Sequence, residues 1–228
     1  MQLAELQTVN AERAARRAVL VVTDIKGGAQ RVVKAADVAA DPLKEVLQKR
    51  LRLGKSGMEE TPEGEVFVTV HVPSAKLVIT GAVHISQALA PMAKMLGYDV
   101  AVVDPRTAFA SPERFPDVKV IAEWPDVALP PLGVDRYTAF VALTHDPKID
   151  DPALKHALER DCFYIGALGS RKTHAKRVDR LKQNGFDEAA IGRIHAPIGL
   201  DIDAVSPPEI AVAILGEITA TLRRRDGA

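Results

Sequence analysis

Two patterns of apolar and polar positions divide the chain. In the first 74 residues, short amphipathic segments are separated by polar turns. Leu3, Leu6, Val9 and Ala14 fall near one face and predict a helix over 1–17, with Arg13, Arg16 and Arg17 at its end, where cations suit the helix dipole. Ala18 to Val22 reads as a strand, and Gly27-Gly28 as a turn. Asp41 and Pro42 have the form of an N-cap and a first helical residue, ahead of an apolar face at Leu43, Val46, Leu47 and Leu51. Residues 54–64 read as a loop and 65–72 as a strand, and Pro73-Ser74 interrupts the pattern. These features predict a small N-terminal α+β domain over 1–74 and a second domain over 75–228.

From Ala75 the pattern becomes strand and helix in alternation. Short apolar runs lie at Leu77–Thr80, Val100–Val103, Val118–Ile121, Ala139–Leu143 and Cys162–Ile165. Ile85, Leu89, Met92, Ala93 and Leu96 give the first intervening helix its stripe, and Gly97 stands where a left-handed C-terminal glycine belongs. Asp151-Pro152 is expected to start another helix, and a basic helix follows Ser170. Ser206 and Glu209 have capping-box spacing before a final helix with a stripe at Ile210, Ala213, Ile214 and Ile218, ending in Arg223, Arg224 and Arg225. Near-continuous apolar strands between amphipathic helices predict an α/β fold: a Rossmann-like parallel sheet with helices on both faces. Ligands of such sheets bind at the carboxyl ends of the strands.

Composition narrows the function classes. Of 228 residues, 47% are hydrophobic and 26% charged, the values of an ordinary globular protein. Lys+Arg and Asp+Glu are both 30, so no global attraction for nucleic acid or an anionic membrane is expected. No apolar run approaches the ~20 residues of a membrane span. The first residues lack the order of a signal peptide, so the expected location is the cytoplasm. The single cysteine, Cys162, excludes an intramolecular disulfide and reads as a buried, inert thiol.

Two strand-to-helix turns carry candidate chemistry. Gly81-Ala82-Val83-His84-Ile85-Ser86 occupies the place of a dinucleotide fingerprint, and Asp104 ends the next strand, where a ribose-binding carboxylate sits. Val83 and Ser86 replace two of the three glycines, which weighs against NAD(P). His84 either faces a ligand or packs at the helix start. The second turn runs Gly166-Ala167-Leu168-Gly169-Ser170-Arg171-Lys172. Cations at a helix start oppose the dipole, which makes sense if an anion sits there; otherwise the helix is a solvated basic one. Between these turns, Thr144-His145-Asp146 follows the fourth strand; His145 is a candidate acid/base or hydrogen-bond donor. Asp146, Asp150 and Asp151 could hold a hydrated cation, but Asp150-Asp151-Pro152 is more simply a helix cap, and no metal site is assigned. No nucleophile elbow, metalloprotease helix or phosphate-binding Lys-Ser/Thr loop is present.

These residues resemble the XdhC/CoxI family, accessory proteins for molybdenum hydroxylases such as xanthine dehydrogenase. The likeness lies in Gly81–Leu89 with Val102–Arg106, Thr144–Pro147 with Asp150–Leu154, and Tyr164–Arg171 with Pro197–Asp201 and Pro208–Ala211. It implies a Rossmann-like domain that carries molybdenum cofactor, a pterin bearing a phosphate or a nucleotide diphosphate, without using it in turnover. It implies that the cofactor is protected, sulfurated with a cysteine desulfurase, and delivered to a xanthine dehydrogenase-type apo-hydroxylase by a homodimer. Many relatives have a second glycine where this chain has Val83, so the second turn is the better anion site. The resulting candidate cofactor-binding set is Gly81, Val83, His84, Asp104, His145, Asp146, Gly166, Gly169, Ser170, Arg171 and Lys172; no catalytic residue is assigned. The competing expectations are an NAD(P)-dependent oxidoreductase and an assembly factor without a small-molecule ligand.

Overall fold

A computed structural model describes residues 2–224 and divides the chain into two units, one of residues up to Pro73 and one of Ser74–Leu222. In the first, helix α1 (Leu3–Ala14) precedes strands β1 (Val19–Asp24) and β2 (Gln30–Lys34), helix α2 (Lys44–Leu53), and strands β3 (Gly57–Thr61) and β4 (Gly64–His71). The strands form one antiparallel sheet in the order β2-β1-β4-β3. Val9 of α1 packs on Val19 and Val21, while Leu47 and Leu51 bury the face of α2.

Several expectations for this unit are corrected. Residues 54–64 are not all loop: Gly57–Thr61 pairs with β4 from Gly57↔Val68 to Thr61↔Gly64. The segment Gly-Met-Glu-Glu-Thr has one strand-favouring residue, Thr61, and is held by its hairpin partner and by Glu59, which pairs with Lys49 and Arg50. The polar strand β2 has no sequence signal beyond Val32-Val33. Helix α1 stops at Ala14, and Arg16 takes a positive φ of 52°. Asp41 does not cap α2; it accepts from the Leu43 amide and pairs with Arg31, and the helix starts at Lys44.

The second unit contains β5 (Lys76–Thr80), α3 (His84–Met95), β6 (Asp99–Val103), β7 (Lys119–Ile121), α4 (Pro125–Ala128), β8 (Thr138–Ala142), α5 (Pro147–Glu159), β9 (Tyr164–Ala167), α6 (Arg171–Gln183), α7 (Glu188–Ile191), β10 (Ile194–His195) and α8 (Pro207–Arg224). The six strands are parallel in the order β10-β9-β8-β5-β6-β7, which is the dinucleotide-fold order with its switch between β5 and β8. Both faces are covered, as the near-continuous apolar strands predict. Leu77, Ile79, Ala139 and Val141 face α3 and α8 through Leu89, Ala93, Ile214 and Ile218. Val78, Phe140, Ala142 and Ile165 face α5 and α6 through Leu154, Ala157 and Leu181. Cys162 is buried and its thiol is pushed up to about 12 by desolvation, which keeps it unreactive.

One helix start is corrected. Helix α5 begins at Pro147, capped by Asp146, so Pro152 lies inside it rather than opening it. The Ser206–Glu209 box forms as predicted, with Glu209 Oε2 accepting from the Ser206 amide at 2.8 Å. Arg225 of the expected C-terminal arginine run lies outside the described residues. Among the described residues, no helix is long and apolar enough to cross a membrane.

Candidate functional site

Three turns line the carboxyl edge of the adjacent strands β5, β8 and β9. At the β5 turn Gly81 has φ +109°, and a side chain there would put its Cβ 2.9 Å from Thr144 Cγ2 of the β8 turn. The turn is therefore glycine by conformation and by contact. Its amides are already satisfied. Ala82 donates to Asp104 Oδ2 at 2.7 Å, and Val83 donates to Ser86 Oγ at 2.9 Å. The Ser86 hydroxyl, fully buried, donates back to the Gly81 carbonyl.

Asp104 is likewise committed. Its carboxylate also accepts from the Arg106 amide (3.0 Å), Nε (2.9 Å) and Nη2 (2.6 Å). Burial opposes its charge, but the Arg106 and Ala82 bonds outweigh burial and hold the carboxyl below the usual range. A ribose-binding carboxylate needs a free edge, and Asp104 is completely buried. The structure thus makes Val83 the N-terminal flank of α3 and Asp104 the pin of the same turn; His84 is exposed on the first turn of α3.

The β8 turn is organised by Asp150, which the sequence pattern presents as part of a helix cap. It is 1% exposed and sits inside α5. It accepts from Thr144 Oγ1 (2.6 Å), the Thr144 amide (3.3 Å) and the His145 amide (3.0 Å). These bonds hold His145 at φ +63° with its ring exposed. Burial pushes the Asp150 carboxyl up, offset in part by Thr144 and Arg177. Asp146 caps α5 through the Lys148 amide.

The β9 turn separates its residues between two cavities. Gly166 lies within β9, where a Cβ would meet Ile198 Cδ1 at 2.5 Å, so its smallness serves packing. Gly169 has φ +131°, and its Cβ position lies 3.6 Å from His145 Nδ1, so this turn and the β8 turn adjoin. Ser170 caps α6 by accepting from the Thr173 amide at 3.2 Å. Lys172 then faces a cavity of about 250 Å³ together with His145, Asp150, Lys176, Arg177 and Arg180. Arg171 lines a different cavity, of about 470 Å³, with Leu168, Ile198, Leu200, Asp201 and Ile210. Arg171 and Lys172, neighbours in the candidate set, thus line different cavities, because successive positions on a helix point about 100° apart.

Arg177 is the residue that sequence reasoning missed. Its side chain is 2% exposed and about 4.0 Å from Asp150. Nη2 donates to the Leu168 carbonyl at 2.9 Å, but Nε and Nη1 have no acceptor among the described residues. Each buried unpaired donor costs about 1–3 kcal/mol. The available signal was a cation on the buried stripe of α6, one turn before Leu181.

A second cluster was also missed. Glu217 on α8 accepts from Tyr164 Oη (2.6 Å) and the Gly199 amide (2.8 Å) and lies 2.8 Å from His195 Nδ1; the Tyr164 and His195 rings stack at 4.6 Å. Burial opposes the charge of Glu217, but these bonds keep it below the usual range, and burial with Glu217 pushes the Tyr164 phenol up. The cluster pins the turn that lines the larger cavity. Among the described residues, no three His, Cys, Asp or Glu side chains gather as a metal would require.

The family model described as the XdhC Rossmann domain matches residues 77–218. The chain is 36% identical over 155 residues to the Escherichia coli protein YqeB (67% of this chain, 28% of that one). It is 30% identical over 148 residues to the molybdenum cofactor insertion chaperone PaoD of E. coli (65% and 40%). It is 30% identical over 160 residues to a protein of Bacillus subtilis described as a probable xanthine dehydrogenase component (70% and 46%). The chain spans less than half the length of each of these relatives. A crystal structure described as a xanthine dehydrogenase from Bacillus halodurans superposes with a TM-score of 0.67 at 24% identity, covering 97% of this chain and 65% of that one; this likeness establishes the fold alone.

Proposed function

The chain belongs to the XdhC family through its Rossmann domain, and from that premise we propose that it binds molybdenum cofactor as cargo. In this reading it shields the cofactor, presents it for sulfuration by a cysteine desulfurase, and delivers it to a xanthine dehydrogenase-type apo-hydroxylase, acting in the cytoplasm as a homodimer. One relative is named a molybdenum cofactor insertion chaperone and another a probable component of xanthine dehydrogenase, which supports the assignment. The observation that carries it is the basic cavity at the carboxyl edge, which Lys172, Lys176, Arg177 and Arg180 of α6 line together with His145 and Asp150. That cavity suits an anionic ligand such as a phosphorylated pterin. The adjoining cavity, with Arg171 and apolar walls, offers a flat heterocycle both a cation and apolar contact.

The chain's own residues have restricted roles here. Lys172 and Lys176 attract and orient the anion; Asp150 fixes the turn that places His145 on the cavity wall. The cofactor supplies the redox chemistry after transfer, in the acceptor enzyme. An NAD(P)-dependent oxidoreductase is disfavoured because the Ala82 and Val83 amides and the Asp104 carboxylate are engaged within the chain.

The test is pterin analysis of protein purified from cells that make molybdenum cofactor. Acid oxidation releases a fluorescent pterin, quantified per chain. A near-stoichiometric yield supports the carrier. A blank yield, with a control molybdoenzyme loaded in the same cells, rejects it and leaves an assembly factor without a small ligand.

A further inference from the structure

We infer that the 250 Å³ cavity beside α6 is a subsite for a terminal phosphate, a phosphate monoester in its dianionic form, anchored by Arg177. The inference deepens the reading above by naming the end of the cargo that the chain grips.

Three observations carry it. Arg177 is 2% exposed and lines the cavity, and its Nε and Nη1 lack acceptors among the described residues. A buried guanidinium cannot swing out to find a partner, so an acceptor comes to it. The formal charges then favour a dianion. Arg180 is bound through two nitrogens to Asp151, and Arg177 faces Asp150. Asp150 spends its oxygens on the Thr144 hydroxyl and the Thr144 and His145 amides. Lys172 and Lys176 have no carboxylate partner among the described residues, leaving two positive charges at the cavity. A phosphate monoester carries about two negative charges near pH 7, and a simple phosphodiester one.

Volume provides the third observation. The cavity's 250 Å³ matches about eight water molecules at about 30 Å³ each. That accommodates a phosphate with a few waters, but falls below the roughly 300–1,000 Å³ that encloses a whole ligand. The cavity thus takes the phosphate end of a ligand, and the two unpaired lysine charges select a monoester over a diester. The chain therefore grips a terminal phosphate, with the organic part of the ligand outside this cavity.

Isothermal titration of the full chain with glycerol 3-phosphate and with dimethyl phosphate tests the inference. The monoester is expected to bind at least tenfold more tightly. Lys172→Ala with Lys176→Ala changes two exposed side chains and should weaken monoester binding at least tenfold with the far-UV spectrum intact. Arg177→Met should abolish binding; because it strands Asp150, it is read only if folded. Equal affinity for monoester and diester, no binding of either, or unchanged affinity in the double lysine variant overturns the inference. Pterin yield separates the two proposals. A wild-type chain that binds monoester through the lysines but carries no pterin keeps the subsite and loses the carrier function. A pterin-loaded chain indifferent to the lysine changes does the reverse.

Discussion

Asp104→Asn tests whether this carboxylate holds the fold or waits for a ligand. The wild-type side chain is completely buried and accepts four hydrogen bonds, from the Ala82 amide and from the amide, Nε and Nη2 of Arg106. Asparagine keeps one oxygen and puts an NH2 where the other stood, so one pair of donors faces a donor. Hydrogen bonds to charged groups contribute about 1.5–3 kcal/mol each. Arg106 is about one-third exposed and recovers part of its loss from water, whereas the Ala82 amide lies in a buried turn. The expected destabilisation is about 2–3 kcal/mol, a fall of roughly 5–10 °C in the melting point of this unit. The sign with pH follows from the depressed carboxyl. Its stabilisation is fully present above the unfolded-state value near 4 and is lost as pH falls through the folded-state value. Urea titration of wild type and variant at pH 7 and pH 3 should therefore show a gap that narrows in acid. A gap below about 0.5 kcal/mol at pH 7, or one of equal size at both pH values, refutes this account. So does a wild-type thermal shift with NAD(P) that Asp104→Asn removes.

Gly166→Ala should cost about 1–3 kcal/mol by overpacking, because its Cβ lands 2.5 Å from Ile198 Cδ1; calorimetry showing an unchanged melting point contradicts the packing assignment. Gly169→Ala faces a φ of +131° and a contact at 3.0 Å with Thr173 Cγ2, so monoester affinity should fall along with stability, while affinity at wild-type strength counts against the turn. Glu217→Gln should lower stability by about 1–3 kcal/mol and speed amide exchange at Gly199; unchanged exchange would separate the Tyr164–His195–Glu217 cluster from the 197–199 turn. Cys162, with its thiol near 12, carries on the order of one thiolate per 100,000 molecules at pH 7, and should react with a thiol reagent only on unfolding; rapid labelling of native protein would place it elsewhere.

Periodicity made the second unit legible and the first much less so. Leu77–Thr80, Val100–Val103 and Ala139–Leu143 are apolar on both faces, a pattern that a doubly covered parallel strand requires. Strands β2 and β3 are edges of an antiparallel sheet, with Arg31 and Glu60 exposed, so their identity comes from pairing rather than composition. Asp41-Pro42 and Asp151-Pro152 carried the same helix-start chemistry and both misled. Asp41 is held by Arg31, ten residues away in sequence, and Asp151 by Arg180 across two helices. Of the site, the cavity-lining Lys172 and the His145 turn were visible from local spacing. Arg177 and Asp150 were not, because what distinguishes them is burial, and burial is decided by the packing of α5 on α6.

The two glycine turns differ in how fully the chain satisfies its own polar groups around them. Both follow an apolar strand and open a helix, and both glycines have strongly positive φ. At Gly81 the residue five positions later is Ser86, whose hydroxyl takes the Val83 amide and returns a bond to Gly81. Asp104 takes the Ala82 amide, and its charge is balanced by Arg106. The turn is thus closed on itself, and a phosphate would have to displace internal bonds to reach it. At Gly169 the cap is Ser170, whose hydroxyl bonds the amide and hydroxyl of Thr173. Eight residues after that glycine stands Arg177, buried with donors to spare. The same backbone motif is satisfied internally in one place and left wanting an acceptor in the other. A dinucleotide fold normally receives its phosphate at the first of these turns. Here the acceptor-seeking donors lie two strands across the sheet, past β8, and it is side chains rather than topology that moved them.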